Sequence, residues 1–299
     1  MRVGPTDYLQ FDVGLDSLGL HQVVVEMEHV SGRTIPVAQS RQWVRVGDLL
    51  PCLENLEGPG RAARPGPWLP QVPHASRPGR VPALLGPVRW AVQSLLGGLT
   101  RIHLRIEVSG LENVPRAGAF LVAANHCSHL DSLVVRHALG GLCRVRVAGA
   151  ADYFFRGPLS RFVCTHLLDI TPVSRDGQPL QGLGRCLEYL HAAPSRPEAL
   201  LVFPEGTRST TGALQPFKVG VGLLAVESRA PVIPARVDGT HALMPRGKRL
   251  PRSGKVHISL GRPVSASEAS FAGTPGSHAH FQAVTQLIQA RVEGLPCCS

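Results

Sequence analysis

Two polar stretches of this 299-residue chain hold side chains that can move a proton and hold an anion. The first is Asn125-His126-Cys127-Ser128-His129-Leu130-Asp131. A neutral imidazole takes a proton from a hydroxyl near pH 7. A carboxylate on its other ring nitrogen fixes the tautomer and stabilises the imidazolium as it forms. His126 and Asp131 can meet if a strand hands over to a helix between them. No serine nucleophile is needed where the acceptor hydroxyl belongs to the substrate. The plainer alternative is that Asp131 only caps a helix and His126 is a loop histidine. The second stretch is Pro204-Glu205-Gly206-Thr207-Arg208-Ser209. Arg208 offers a planar fork suited to phosphate. Gly206 allows close backbone approach.

The elements that must position these residues are legible around them. Phe120 to Ala124 is a short apolar run that reads as a buried strand, and Leu130, Leu133, Val134 and Ala138 recur at helical spacing. Ser128 with Asp131 three places later fits a capping box, which makes Ser128 the expected cap. Ala199 to Phe203 reads as a second buried strand, opening into the second polar stretch. A charged, glycine-containing turn at a strand's end is where α/β proteins place ligand sites.

Together, the Asn-His-x-Ser-x-x-Asp and Phe-Pro-Glu-Gly-Thr-Arg segments resemble the glycerolipid acyltransferase family, the PlsC-like lysophospholipid acyltransferases. The resemblance runs from about Leu104 to Val264. Gly110-Leu111-Glu112-Asn113-Val114-Pro115 resembles the family's lead-in to its first motif. Ile170-Thr171-Pro172-Val173-Ser174-Arg175 resembles its second, without the glycine and aromatic that precede it in the family. Phe217-Lys218 and Val232-Ile233-Pro234-Ala235 resemble the segment after the third motif and the fourth motif. The resemblance implies direct acyl transfer from a thioester, acyl-CoA or an acyl-carrier, to the hydroxyl of a lysophospholipid. The best-known acceptor is 1-acyl-glycerol 3-phosphate, giving phosphatidate. His126 would be the base and Asp131 its orienting partner. Arg208, with Arg175 and Lys218, would bind the acceptor phosphate. Glu205, Gly206 and Thr207 would shape that pocket, and Pro234 completes the substrate-binding set. The acyltransferase domain would need no cofactor and no metal. Alternatives are another acceptor (lysophosphatidylethanolamine, glycerol 3-phosphate or an amine) and a non-catalytic, carrier-linked membrane-binding module.

Composition narrows the partners. The apolar share of 43% supports a core, and the 5% of aromatics makes it mainly aliphatic. A net charge of +10 favours anionic partners. With no recognition-helix pattern, RNA-binding motif or basic-aromatic alternation, the charge is assigned to an anionic membrane surface and phosphate substrates rather than to nucleic acid. The seven cysteines form no Cys-x-x-Cys pair, which supports neither zinc nor a redox dithiol. Their odd number and the lack of a secretory signal favour a reducing, cytoplasmic setting. No apolar run reaches the roughly 18 to 20 residues of a spanning helix, so the expected membrane association is peripheral, on the cytoplasmic face.

Taken in order, residues 1–55 read as a separate, partial helical segment. Val13-Gly14-Leu15-Asp16-Ser17-Leu18 begins a helical pattern, with Leu18, Val24, Val25 and Met27 as apolar contacts, and a last short helix starts at Val46-Gly47-Asp48. This order resembles the later part of an acyl or peptidyl carrier domain, whose Asp-Ser-Leu motif carries 4′-phosphopantetheine on the serine; Ser17 is the matching residue. Only 16 residues precede it, so the first carrier helix is missing, and a plain N-cap is the alternative. The abrupt start suggests the tail of a longer fusion with an acyl-activating domain upstream. Residues 56–82 are a Pro-, Gly- and Arg-rich linker. Residues 83–294 form the acyltransferase-like domain. It opens with an amphipathic helix, Ala83 to Leu99, ended by Gly97-Gly98. Its apolar face holds Leu84, Leu85, Val88, Val92, Leu95, Leu96 and Leu99, with Arg89 and Gln93 off it, and it lies either in the membrane plane or on the domain. Arg101 to Val108 alternates as a half-buried strand. Strands then alternate with helices to Val292. The expected fold is α/β, a mostly parallel sheet flanked by helices.

Overall fold

A computed structural model describes residues 4–9, 20, 23–24, 27, 35, 43–51, 85–150, 157–173, 179–191, 196–245, 247–248, 250–270 and 278–297. The chain divides into two compact units, Met1–Gln71 and Val72–Ser299. In the first, Leu9, Val24, Met27, Ile35, Trp43 and Leu49 bury one another. Tyr8 bridges to Arg45 in antiparallel fashion, and the Asp48 carboxylate accepts from the amides of Val44 and Arg45 at 2.7 and 2.8 Å. Ser17, Leu18, Val25 and the linker expected over 56–82 lie outside the described residues.

The second unit is built on seven strands: β1 (Leu104–Ser109), β2 (Ala119–Ala124), β3 (Arg144–Ala150), β4 (Ile170–Val173), β5 (Glu198–Val202), β6 (Val232–Asp238) and β7 (Gly254–Leu260). They lie in the order β1-β7-β6-β2-β5-β3-β4, and every pairing is parallel except β6 with β7. The mostly parallel, mixed sheet expected from the alternation of elements is present. Parallel strands are covered on both faces, which demands near-continuous apolar sequence. β2 sits in the middle, and Phe120 through Ala124 are fully buried.

Helices cover the two faces: α1 (Gly86–His103), α2 (Leu130–Leu139), α3 (Pro158–Phe162), α4 (Pro179–Leu190), α5 (Gly220–Ser228), α6 (Thr240–Leu243), α7 (Ala266–Ser270) and α8 (His278–Glu293). On one face, Leu130, Val134, Val135 and Leu139 of α2 pack on Phe120, Val122, Val145, Val147, Leu201 and Ile233. On the other, α5 and α8 pack closely because Gly222 has no side chain: a Cβ there would lie 2.0 Å from the Phe281 carbonyl oxygen.

One local expectation is corrected: α1 does not stop at Gly97-Gly98 but runs to His103, so the strand expected from Arg101 begins at Leu104. A glycine ends a helix where the chain turns left-handed. Neither glycine has a positive φ, and Thr100 donates its hydroxyl back to the Leu96 carbonyl within the helix. The chain is helical from Pro158 to Leu167, α3 being followed by a π-helical turn over Val163–Leu167. The polar side of α1, not its leucine face, docks on the domain. Arg89 bonds the Asp169 carboxylate, and Gln93 bonds both that carboxylate and the Leu167 carbonyl. Val88, Leu95, Leu99 and Ile102 form an exposed stripe, with Ile102 78% exposed. Asp169 is buried, and a buried carboxylate without donors costs more than an exposed leucine.

Candidate active site

The buried strand β2 ends at Ala124, and five residues connect it to α2. Asn125 closes the strand end by pairing with the neighbouring main chain. Its amide donates to the Val237 carbonyl at 2.9 Å, and its carbonyl accepts from the Val237 amide at 2.7 Å. The chain is thereby held against β6, and His126 projects from the next position.

His126 Nδ1 lies 2.9 Å from Asp131 Oδ2. Asp131 is fully buried and is also the anchor of the turn. The same Oδ2 accepts from the amides of Cys127 and Ser128 at 2.7 and 2.8 Å, while Oδ1 accepts from the Thr240 hydroxyl at 2.5 Å. A carboxylate is an acceptor at each of its lone pairs, so His126 supplies a proton from Nδ1 and leaves Nε2 as a bare acceptor. The imidazole stacks on the Phe203 ring, centroids 4.0 Å apart and planes 15° apart. Ser128 takes part in the capping, in altered form. The N-cap position of α2 is His129, and the Ser128 hydroxyl accepts from the Leu130 amide at 3.2 Å rather than three residues on.

The second polar turn clamps the main chain of His126 from both sides. The Glu205 carboxylate accepts from the His126 amide at 2.8 Å, and the Ser209 amide donates to the His126 carbonyl at 2.8 Å. Gly206 takes the left-handed conformation, φ 73°, which lets its amide donate back to the Phe203 carbonyl at 3.0 Å. The Lys218 side chain crosses directly over it, so a Cβ on Gly206 would meet Lys218 Cε at 2.9 Å. Thr207 is exposed and Arg208 half-buried. The Arg208 charge reaches His129, whose pKa is lowered first by burial and next by Arg208. Among the described residues no carboxylate pairs with Arg208 or Lys218.

Of the residues singled out from sequence, His126, Asp131, Glu205, Gly206, Thr207, Arg208 and Lys218 therefore gather at the carboxyl ends of β2 and β5. Pro234 sits within β6, paired in register with Ala123, and its carbonyl accepts from the Gly261 amide at 2.8 Å. Arg175 and Ser17 lie outside the described residues. Sequence reasoning missed Thr240 and Phe203. Thr240 follows Asp238-Gly239 at the end of β6, with Gly239 at φ 89°. That is the same charged, glycine-containing strand-end turn that marked Pro204 to Ser209, on the strand that flanks β2 from the other side. Among the described residues, no group of three or more His, Cys, Asp or Glu side chains is placed to hold a metal ion.

With this geometry in hand, comparison with known proteins bears on the central part of the chain. Residues 105–238 match the model of the Acyltransferase family. The acyltransferase match takes in β1 through β6, both polar turns and the His126–Asp131 pair, and ends two residues before Thr240. The chain is 29% identical over 177 residues to the chloroplastic 1-acyl-sn-glycerol-3-phosphate acyltransferase BAT2 of Brassica napus, covering 56% of this chain and 47% of that protein. It is 27% identical over 161 residues to the human 1-acyl-sn-glycerol-3-phosphate acyltransferase alpha, covering 54% and 55%. The chain thus spans about half the length of the curated relatives it matches. In fold it is similar to the crystal structure of the 1-acyl-sn-glycerophosphate acyltransferase PlsC from Thermotoga maritima, with a TM-score of 0.53 at 24% identity over 69% of this chain and 78% of that one.

Two substitutions test the geometry. Thr240→Val keeps the shape of the side chain but leaves Asp131 Oδ1 without its donor. Urea unfolding should show a loss of about 1–3 kcal/mol, with Thr240→Ser retaining most of the stability. Glu205 is a buried carboxyl whose pKa burial raises from 4.5 to about 7, against the opposing His126 and Gln215 amides. The native state therefore holds a proton that the unfolded chain releases between those two values, so this group's contribution to stability falls as pH rises through that window. Glu205→Gln removes the slope while keeping a carbonyl for the His126 amide. From about pH 5 to about pH 8 the variant should gain on the wild type by on the order of 1–3 kcal/mol. Parallel unfolding curves for the two proteins across that range would contradict it.

Proposed function

We propose that the chain transfers a fatty acyl group from a thioester to the free hydroxyl of a lysophospholipid, most directly 1-acyl-glycerol 3-phosphate to give phosphatidate. The observation that carries this reading is the His126–Asp131 pair with Nε2 left as the acceptor. The acceptor hydroxyl gives its proton to Nε2 as its oxygen attacks the thioester carbonyl. The carbon–sulfur bond then breaks, and the departing sulfur takes the proton from the imidazolium to leave as a free thiol. Asp131 holds the ring in place and offsets its charge, and no acyl-enzyme forms. Arg208 and Lys218, one turn away, are the cations for the acceptor phosphate, with Arg175 as a third. Glu205 fixes the main chain of His126, and Gly206 and Thr207 shape the turn.

The names of the relatives support the acceptor: several are 1-acyl-sn-glycerol-3-phosphate acyltransferases. The donor is an acyl-CoA or an acyl group on a carrier. In the carrier case, 4′-phosphopantetheine on Ser17 and an upstream acyl-activating partner are the natural source. No helix among the described residues is long and apolar enough to cross a membrane. The enzyme would reach its lipid substrate peripherally, from the cytoplasmic face, with the exposed stripe of α1 against the acyl chains and the basic surface against anionic headgroups.

Free-thiol release from palmitoyl-CoA, with a panel of lysophospholipids as acceptors, tests the reading. Release should depend on lysophosphatidate and fall about 10²- to 10⁴-fold in His126→Ala. Arg208→Ala should raise the KM for lysophosphatidate about tenfold or more and leave that for the donor unchanged. Release that ignores His126, or a donor-specific defect in Arg208→Ala, would sink it.

A further inference from the structure

Four arginines meet at the opposite edge of the sheet, and the acyl transfer gives them no role. β3 opens with Arg144 and Arg146, two apart and so on one face. Asp169 immediately precedes the neighbouring β4, in the left-handed region at φ 50°. Arg89 bonds Asp169 Oδ2, with Gln93 at 3.2 Å on the same oxygen, and Arg144 bonds Oδ1 at 2.7 Å. Arg136 of α2 donates to the main-chain carbonyls of Leu168 and Asp169. Arg146 approaches Oδ1 only to 3.8 Å and lies over the Tyr189 ring, 4.9 Å from its centroid. The second acidic group beside them is Glu198, the register partner of Arg144. Among the described residues, four guanidinium groups thus face two carboxylates.

The surplus is felt locally. Burial pushes the pKa of Arg136 down, Asp169 opposes the shift, and Arg89, Arg146 and Arg144 add to it. Arg146 is only 7% exposed, and among the described residues its guanidinium makes no hydrogen bond. The Nε groups of Arg144 and Arg146 are both buried without an acceptor. A guanidinium has five donors and stays charged, so donors left unmade away from water are costly. Surplus positive charge with buried, unmatched donors is the complement of a small anion carrying several oxygens. Arg144, whose side chain is 38% exposed, is where such a group could enter.

We propose that the Arg89–Arg136–Arg144–Arg146 cluster is a second anion site that takes a phosphate group, either free phosphate or the headgroup of an anionic lipid. It is separate from the candidate active site. β5 begins at Glu198 beside this cluster and ends at Val202 beside His126, a span of roughly 13 Å. Nothing in the proposal depends on the reaction assigned to the other end.

The test uses the full chain in an Arg208→Ala background, which removes the phosphate ligand proposed for the active site. Inorganic phosphate is titrated calorimetrically, and co-flotation is measured with phosphatidylcholine vesicles with and without phosphatidate. Arg146→Gln is the main variant. Arg144→Gln, at the more open position, is the second, and circular dichroism checks the fold of both. Binding of at least one probe should survive Arg208→Ala and weaken about tenfold or more in a folded arginine variant. An effect on inorganic phosphate identifies a site for free phosphate; an effect confined to phosphatidate vesicles identifies a headgroup site. If neither probe binds in the Arg208→Ala background, or if both bind the folded arginine variants as before, the cluster is a structural ion network and the proposal is wrong.

Discussion

A single buried carboxylate, Asp131, governs the geometry of the candidate site. It lies in the first turn of α2 with no exposure to solvent, and it accepts from two amides of the preceding turn, from a threonine at the end of the adjacent strand β6 and from His126. An isolated buried carboxylate would be prohibitive; one that accepts from four donors is a rigid fixture. The same bonds that stabilise the charge therefore define the path of the chain from β2 to α2 and the tautomer of the imidazole. Helix capping and orientation of the base, which look like competing roles for Asp131 in the sequence, are carried out by the same atoms.

The parallel sheet explains why the parts converge. β2, β5 and β6 are neighbours running in one direction, so the turns that leave their carboxyl ends lie side by side. The turn after β2 supplies His126 and Asp131, that after β5 supplies Glu205 to Arg208, and that after β6 supplies Thr240. Glu205 and Ser209 then fasten the second turn to the main chain of the first. The amino-terminal edge repeats the theme with opposite charge balance: a buried acidic residue, Asp169, gathers arginines from β3, α1 and α2.

Much of this was legible in the sequence because it is local. The apolar runs of β2 and β5 and the spacing of His126 and Asp131 needed only period and turn chemistry, and they gave the strand-end placement of the pair. What escaped was tertiary. Thr240 lies 109 residues from Asp131, and no local pattern links them. The leucines of α1 left its face open between the membrane plane and the domain; its orientation is decided by Arg89 and Gln93 reaching a carboxylate about 80 residues on. The glycine pair at 97–98 carries no terminator by itself; the helix continues because the following residues still find helical partners.

The most direct check on this account is the protonation of the His126 ring, read by nitrogen NMR at a pH where the imidazole is neutral. The expected result is a proton on Nδ1, shared with Asp131, and a bare Nε2 able to accept from a hydroxyl. A proton on Nε2 would mean that the ring does not donate to Asp131 and has no free base for the substrate, and the candidate site would lose its central element.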